Sequence, residues 1–305
     1  MPGMVNKESE HASLHSFSEF IRRYLPGKIQ KISVNAGFSC PNRDGSKGTG
    51  GCIYCNNASF SPGYTLKAGS ISMQIEEGQR FFSRKYPSMK YLAYFQSYTA
   101  TNAPLPELMA MFEEALSVDN VVGIIVGTRP DCMPQPLLDY LARLSRRTFV
   151  MVEYGAESAS DETLLRINRG HTWADTADAV RRTAQAGIPV GLHLILGLPG
   201  ENESDIMNTI DRVNSLPVDT LKCHQMQVIR GTRLARDFER GECDIMTFSA
   251  EEYAGLCIRV LRRLRPDIMV ERFVSQAPAE MLLYPRWGMK NYQFTDLLRR
   301  MMARQ

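Results

Sequence analysis

The sequence of 305 residues lacks the long apolar segments that membrane proteins contain. No run approaches about 18 consecutive apolar residues, the length at which a transmembrane helix is expected. The first ten residues contain no apolar stretch of the kind that forms the core of a secretory signal. Apolar residues make up 44% and charged residues 23% of the chain, as in ordinary globular proteins. We therefore expect a cytoplasmic protein with no membrane partner.

A strong excess of charge of either sign is also missing, because the formal net charge is only +3. A general electrostatic attraction to nucleic acid is therefore not expected. The distribution is uneven, since residues 257–305 contain ten Arg or Lys but only four Asp or Glu. This local excess is typical either of a solvated helix face or of a surface that contacts phosphate groups.

Cysteine is too scarce and too irregularly spaced for a disulfide framework, because the chain has only seven cysteines. Four of them lie far apart, and we interpret them as structural residues: Cys132, Cys223, Cys243 and Cys257. The other three, Cys40, Cys52 and Cys55, form a C-x11-C-x2-C pattern in a glycine-rich stretch that follows an apolar run. A reducing compartment suits these thiols.

The alternation of β-branched runs with helical patterns predicts an α/β fold, with a parallel sheet covered by helices. The predicted strands are Ile29–Ala36, Tyr91–Gln96, Val121–Thr128, Phe149–Gly155, Pro189–Leu196 and Thr220–Ile229. Helices are predicted around Ser16–Tyr24, within Ser70–Tyr86, and at Leu105–Leu116, Pro136–Arg146, Trp173–Ala186 and Asp205–Ser215. Six such units predict a partial (β/α)6 barrel of the TIM type, because a full barrel needs eight.

The pattern changes after the sixth predicted strand. Phe248–Leu264 and Tyr292–Ala303 are predicted helices, and Ile268–Phe273 is a predicted strand between them. We therefore divide the chain into an N-terminal helical segment (1–28), a barrel (29–246) and a C-terminal α/β extension (247–305) that packs on the barrel.

The three grouped cysteines predict a metal centre that lacks one protein ligand. Structural zinc normally has four ligands, whereas this loop holds a single C-x2-C pair and no histidine. Zinc stays an alternative if His11 or His15 folds back onto the loop. A 4Fe–4S cluster fits the pattern better, because three thiolates leave one iron open to an exogenous chelator. Tyr54, directly before the last cysteine, is placed to lie against a planar ligand ring.

This pattern resembles the radical S-adenosylmethionine (SAM) superfamily, whose usual motif is C-x3-C-x2-C with an aromatic residue before the last cysteine. The chain keeps the aromatic residue but has eleven residues in the first gap. In this respect it resembles the bacterial radical SAM family related to the Elp3 radical domain. The resemblance includes the segments Val34–Gly37, Thr128–Cys132, Glu153–Ser158, Ile167–His171, His193–Glu201, Ile229–Thr232 and Ser275–Glu280.

The resemblance implies an enzyme with one 4Fe–4S cluster and SAM as cofactors, and an electron donor such as flavodoxin or ferredoxin. It implies that one electron from the cluster cleaves SAM, and that the resulting 5′-deoxyadenosyl radical abstracts hydrogen from a substrate. The relation to Elp3 points to tRNA, through modification of the wobble uridine. The alternatives are a radical SAM enzyme that acts on a small metabolite and a metal-binding protein without catalysis.

Side chains at the carboxyl ends of the predicted strands are the candidates for SAM binding. Asp131 follows the third strand, where its carboxylate could meet an ammonium group or cap the next helix. The resemblance implies that Gln96 contacts the methionyl part of SAM and that Arg169 pairs with its carboxylate. It also implies that Glu157 and His193 contact the ribose and that the chain at Gly197 approaches the adenine. Together with Tyr54 and the three cysteines, these residues form the predicted site.

Aromatic residues near the basic C-terminal stretch agree with RNA docking through base stacking. They are Phe273, Tyr284, Trp287, Tyr292 and Phe294. Aromatic residues at such spacing more often belong to a core, so this observation supports RNA binding only modestly.

Overall fold

The computed structural model describes residues 17–59, 63–66, 69–83 and 89–304. The predictions for His11 and His15 fall outside these ranges, as do Ser16 and Tyr86 at the ends of two predicted helices. The strands in the described part are β1 (Ile29–Val34), β2 (Lys90–Phe95), β3 (Val121–Thr128), β4 (Phe149–Glu157), β5 (Val190–Leu196), β6 (Thr220–Gln225), β7 (Val228–Ile229), β8 (Met269–Arg272) and β9 (Leu282–Tyr284).

Helices connect the strands and cover the outside of the sheet. They are α1 (Phe17–Ile21), α2 (Ile71–Ser83), α3 (Leu105–Ser117), α4 (Gln135–Leu144), α5 (Asp161–Arg166), α6 (Trp173–Gln185), α7 (Glu203–Asn214), α8 (Arg233–Glu239), α9 (Ala250–Arg263) and α10 (Asn291–Met302). None of the helices in the described part of the chain has the length and apolar character needed to cross a membrane.

Seven strands form one parallel sheet in the order β1-β2-β3-β4-β5-β6-β8, and β7 pairs with β9 in antiparallel orientation. Successive side chains of a strand point to opposite faces. In β2, Tyr91 and Phe95 belong to the core beneath the helices, whereas Leu92 and Tyr94 belong to a second core on the inner face. Helix α1 adds Phe20 to this inner core and so covers one end of the curled sheet.

The sheet curls far enough to bring its two edge strands together. Lys31 Nζ in β1 lies 2.7 Å from Glu271 Oε2 in β8, although these strands are the first and the last in the sheet order. An ion pair of this length across the sheet requires a barrel-like curvature. The predicted α/β fold with a partial barrel is therefore confirmed.

The strand count differs from the prediction, because β8 belongs to the predicted extension. It pairs in parallel with β6, with Met269 opposite Thr220, so the extension contributes a seventh strand instead of only packing on the barrel. The predicted strand Thr220–Ile229 is also divided into β6 and β7. Where β6 ends, the side chains of Gln225 and Gln227 both donate to Ser275 O over 3.0 Å. These bonds hold the chain against the segment that follows β8.

Several helices begin at side-chain caps that the sequence pattern placed only approximately. Asn202 Oδ1 accepts hydrogen bonds from Ser204 N over 2.8 Å and from Asp205 N over 3.3 Å. Helix α7 therefore begins at Glu203, two residues before its predicted start. Such caps satisfy backbone donors that have no partner within the helix, which fixes where each helix leaves the barrel rim.

Candidate active site

The cysteine loop, residues 35–59, leaves the carboxyl end of β1 and folds back on itself. The backbone amides of Arg43 and Asp44 donate to Cys40 O over 2.7 and 3.1 Å, and Cys55 N donates to Cys52 O over 3.0 Å. All three cysteines line one cavity at the carboxyl ends of the strands. Each of them is a free thiol, so the loop offers three sulfur ligands to this cavity.

Two glycines are required by the close packing of the loop. A Cβ atom at Gly48 would lie 2.3 Å from Asn42 Oδ1, and one at Gly51 would lie 2.7 Å from Arg43 Nε. Gly51 also has a φ of +73°, which side chains other than glycine rarely adopt. The tight path of the loop therefore depends on the absence of a side chain at both positions.

Two kinds of metal centre make different demands on the three cysteines. A zinc site needs all its ligands about 2.0–2.3 Å from one ion. An iron–sulfur cube is larger, and its thiolates bind different iron atoms. Three free thiols that line one cavity offer such a cube three ligands and leave one iron open.

Arg169 lies beside the cysteines and is only 7% exposed. Its Nη2 atom donates to Gly155 O over 2.6 Å, and its Nη1 atom lies 3.7 Å from Cys52 Sγ. Burial alone would lower the pKa of Arg169, but the neighbouring Tyr54, Cys52 and Glu157 raise it well above its ordinary value. The guanidinium is thus a fixed positive charge next to the candidate cluster ligands.

Glu157 approaches Arg169 from the end of β4. Its Oε1 atom lies 3.4 Å from Arg169 Nη2, and its backbone has a φ of 66°. The register between β4 and β5 shifts at this point, which is the pattern of a β-bulge. A glutamate in the left-handed backbone region is uncommon, and such backbone conformations are concentrated at functional sites, where they orient a side chain.

The remaining predicted residues in the cavity lie on different strand ends. Tyr54, Gln96 and His193 all line it and are half-buried. Gln96 Nε2 donates to Ser33 Oγ over 2.8 Å, and His193 Nε2 lies 2.8 Å from Glu153 Oε2. The fold therefore brings eight of the ten predicted site residues to one cavity: Cys40, Cys52, Tyr54, Cys55, Gln96, Glu157, Arg169 and His193.

Three buried polar atoms that line the cavity have no hydrogen-bond partner within the described part of the chain. They are Thr99 Oγ1, Arg169 Nε and Arg272 Nε. A buried donor or acceptor without a partner costs about 1–3 kcal/mol. Their presence around one cavity, together with the three thiols, indicates that the cavity accommodates a polar ligand as well as a metal cluster.

Comparison with known proteins agrees with this geometry. A family model described as the radical SAM superfamily matches residues 42–213, and a model of the Radical_SAM C-terminal domain matches residues 218–304. Protein YhcC of Escherichia coli (strain K12) is 37% identical over 270 residues, which cover 88% of this chain and 85% of YhcC. The chain belongs to the radical SAM superfamily. It is therefore an enzyme whose cofactors are a 4Fe–4S cluster and SAM.

More distant relatives of this radical SAM enzyme share the fold or part of the sequence. The structure of Methanocaldococcus infernus Elp3 with an N-terminal deletion matches this chain with a TM-score of 0.65 and 18% identity. The match covers 92% of this chain and 64% of the Elp3 chain. A tRNA uridine(34) acetyltransferase of M. infernus is 30% identical over 124 residues, 40% of this chain and 23% of that protein. The predicted membership of an Elp3-related radical SAM family is confirmed.

Two predicted SAM ligands of the radical SAM enzyme do not line the cavity. Asp131 accepts from Arg129 Nε and Nη2 over 2.9 and 3.0 Å, and Lys47 Nζ lies 2.7 Å away. Arg129 Nη1 in turn donates to Arg169 O over 2.8 Å, so this pair supports the backbone of Arg169. Gly197 has a φ of +89°, and a Cβ atom there would lie 3.4 Å from the side chains of Met246 and Phe248.

The sequence interpretation identified His193 but missed the charged cluster inside the barrel to which it belongs, which we call the interior cluster. Its members are Lys31, Tyr94, Glu153, His193, Lys222, His224, Glu271 and Arg272. Glu153, which is only 1% exposed, lies at the centre of the interior cluster. Its Oε1 atom lies 3.1 Å from Lys31 Nζ. Its Oε2 atom accepts hydrogen bonds from Tyr94 OH, over 2.7 Å, and from Lys222 Nζ. The sequence signal that could have revealed this cluster is a charged residue within an otherwise apolar strand, such as Glu153 in β4 or Lys222 in β6.

The interior cluster keeps its charges through mutual contacts. Burial would raise the pKa of Glu153, but Lys222 and Lys31 hold it well below its ordinary value. Burial lowers the pKa of Lys222 to about 8, although Glu153 and Glu271 act in the opposite direction. Burial also lowers the pKa of His193, so this ring is neutral and its bond to Glu153 fixes its orientation.

Proposed function

We propose that this radical SAM enzyme holds its cluster through Cys40, Cys52 and Cys55 and binds SAM between the cluster and the strand ends. When bound and reduced, the cluster supplies the electron that cleaves SAM to methionine and a 5′-deoxyadenosyl radical, which abstracts hydrogen from the substrate. The observation that carries this proposal is one cavity lined by three free thiols and by buried polar atoms without partners.

The residues around the thiols have chemical properties that suit SAM. The Arg169 guanidinium, fixed beside Cys52, suits the carboxylate of the methionyl group. Glu157 offers oxygens that accept hydrogen bonds from ribose hydroxyls, and Tyr54 offers a ring face for a planar group. Gln96 adds an amide at the end of β2. Asp131 acts indirectly in this proposal, because its carboxylate is already paired with Arg129 and Lys47.

Anaerobic reconstitution followed by incubation with SAM and dithionite tests the proposal. We expect iron, acid-labile sulfide and visible absorbance in the purified protein, and 5′-deoxyadenosine as a product. Cys52→Ala should lose the iron and the product, whereas Cys243→Ala, which removes a half-buried thiol outside the cavity, should keep both. Zinc without sulfide in the wild-type protein would refute the cluster assignment. A flavodoxin or ferredoxin should replace dithionite in the same assay.

A tRNA substrate is the second candidate, and the partial similarity to a tRNA uridine(34) acetyltransferase favours it. The C-terminal surface gives it less support than its sequence suggested. Arg263 and Arg265 pair with Asp211 and Asp267, with N–O distances of 2.6 and 2.5 Å. Of the five aromatic residues, only Tyr292 is strongly exposed, at 62%.

Nucleoside mass spectrometry of bulk tRNA after anaerobic turnover tests this second candidate. A SAM-dependent change at uridine would support it. Neutralising the exposed Arg262 and Arg300 should then weaken tRNA binding and reduce its dependence on salt. Unmodified tRNA, together with normal deoxyadenosine formation, would favour a small metabolite. We also propose a cytoplasmic location, because a 4Fe–4S cluster of this kind is sensitive to oxygen and suits a reducing compartment.

A further inference from the structure

Arg272, the last residue of β8, brings a positive charge to the wall of the cavity. Its Nε atom is buried and has no hydrogen-bond partner among the described residues. One terminal nitrogen, Nη2, lies 3.4 Å from His224 Nε2, which is a neutral contact. Within residues 17–59, 63–66, 69–83 and 89–304, no carboxylate forms an ion pair with this guanidinium.

The carboxylates nearest to Arg272 along the sheet are used by other cations. Glu271 Oε2 lies 2.7 Å from Lys31 Nζ and 3.6 Å from Lys222 Nζ, and Glu153 is paired with the same two lysines. Three cations, Lys31, Lys222 and Arg272, therefore face two carboxylates. Burial, and then the charge of Arg272, hold the pKa of His224 well below its ordinary value, so its ring adds no further positive charge.

The backbone at Ser275, three residues after Arg272, is held by side-chain hydrogen bonds. Ser275 N donates to Gln225 Oε1 over 2.8 Å, while Gln225 Nε2 and Gln227 Nε2 both donate to Ser275 O over 3.0 Å. Ser275, Gln225 and Gln227 all line the cavity. This arrangement gives a role to Ser275, because its bonds hold the wall next to Arg272 in one position before any ligand binds.

We propose that Arg272 binds an anionic group of the substrate, a carboxylate or a phosphate, at the wall of the cavity formed by β6 and β8. The unpaired Nε–H and an N–H of Nη2, which also contacts His224, form an edge that matches the oxygen pair of either group and binds it bidentately. Such a group removes the excess positive charge of the interior cluster and supplies the missing partner of Nε. This inference rests on the proposed function in that the same cavity is the active site.

Arg272 and Arg169 have separate tasks in this arrangement. Arg169 lies between β4 and β5, contacts Cys52 and is the candidate for the carboxylate of SAM, whereas Arg272 ends β8 and contacts His224 in β6. Two arginines on one cavity, one per anion, would hold the substrate and SAM side by side. The substrate class that follows is a small molecule or a substrate fragment with one carboxylate or phosphate near the carbon that loses hydrogen.

Titration of the reconstituted holoenzyme with malonate and, separately, with inorganic phosphate tests this inference by calorimetry. We expect one of the two to bind, which identifies the class of anion. Arg272→Gln should weaken that binding at least about tenfold, and Arg272→Lys should retain part of it because the charge remains. Arg286→Gln, which changes an exposed arginine in the same extension, should leave it unchanged.

The outcomes separate this inference from the proposed function. Affinity for SAM and iron content should be the same in Arg272→Gln as in the wild type; a loss of SAM affinity would make Arg272 a cofactor residue and overturn the inference. Failure of both anions to bind the wild-type holoenzyme would overturn it too, without any variant. Absence of the cluster or of SAM cleavage would overturn the proposed function, whereas anion binding is measured independently of turnover.

Discussion

Arginines inside the barrel and arginines on the C-terminal surface occur in opposite environments. Arg169 and Arg272 line the cavity, and each has a buried Nε atom without a partner. Arg259, Arg263 and Arg265 lie on the outside, and each forms an ion pair with a neighbouring carboxylate. Arg272 and the three surface arginines all belong to the basic stretch 257–305, so the excess of charge in the sequence does not distinguish them. Among these five arginines, the positive charge that is not used by a carboxylate of the surface is inside the barrel.

The same contrast applies to the energetics of the two groups. Ion pairs of the interior cluster are removed from water, so deleting one partner leaves a buried charge without compensation. Ion pairs on the surface are screened by water and salt, and removing one of them changes little. Substitutions in each region provide direct tests of this difference.

The largest effect is expected for Glu153→Gln, which removes the central carboxylate of the interior cluster. Lys31 and Lys222 would lose one of their two shared carboxylates and keep only Glu271, so the free energy of unfolding should fall by about 3–5 kcal/mol. Urea denaturation of the cluster-free protein at neutral pH measures this change. The matched control is Asp211→Asn, which removes the surface partner of Arg263 and should cost less than about 1 kcal/mol. Equal losses would remove the contrast.

Asp131→Asn should produce the next largest effect and a change in pH dependence. Burial raises the pKa of Asp131, but hydrogen bonds from Arg129 and Lys47 outweigh it and lower the pKa to about 2. Because this value lies below the ordinary one, the ionised group stabilises the fold above about pH 4, and this contribution is lost as the pH falls toward about 2. The contribution amounts to about 2 kcal/mol.

Urea denaturation from about pH 6 down to about pH 3 checks this prediction. The wild type should lose stability more steeply below about pH 4 than Asp131→Asn does. Parallel curves for the two proteins would show that the pair between Asp131 and Arg129 contributes nothing that depends on ionisation.

Arg169→Ala should weaken SAM binding at least about tenfold while the iron content stays the same. The reason is that this substitution removes the fixed guanidinium beside Cys52 and leaves all three thiols in place. Calorimetry with SAM on the reconstituted protein, together with iron analysis, measures both quantities. Unchanged SAM affinity would exclude Arg169 from the binding site. A loss of iron would instead assign to it a role in holding the cysteine loop.

The smallest effect is expected for Arg263→Ala on the surface. Its side chain is 57% exposed, so loss of the pair with Asp211 should change the free energy of unfolding by less than about 1 kcal/mol. A double-mutant cycle with Asp211→Ala measures the coupling between the two side chains. A coupling as large as that between Lys31 and Glu153 would contradict the proposed difference between the two regions.

Sequence patterns were sufficient for the barrel strands and for the cysteine loop. Strands such as β3, predicted as Val121–Thr128 and found with the same limits, are apolar on both faces and lie between turns, so their type is determined locally. The position of β8 was not determined in this way. A four-residue strand carries no information about its neighbour, and its place beside β6 depends on how the extension packs.

The candidate site was predictable to the extent that it follows strand ends. Gln96, Glu157, Arg169 and His193 were identified from their positions along the chain, and they share a cavity with the cysteines. Asp131 was also chosen for its position, but its carboxylate is occupied by a basic residue of the same turn and by a lysine that is distant in sequence. The roles of these residues toward SAM stay predictions, which the experiments above address.

The sequence by itself determined the order of strands and helices, the glycine-rich loop with its three thiols and the family to which the chain belongs. These properties depend on residues that are close together in the chain. Only the tertiary structure decided which charges are paired, because Lys31, Glu153, Lys222 and Glu271 come from four strands and meet only when the sheet curls. The unpaired Nε atom of Arg272 is a consequence of that pairing, because the two carboxylates of the interior cluster are paired with Lys31 and Lys222.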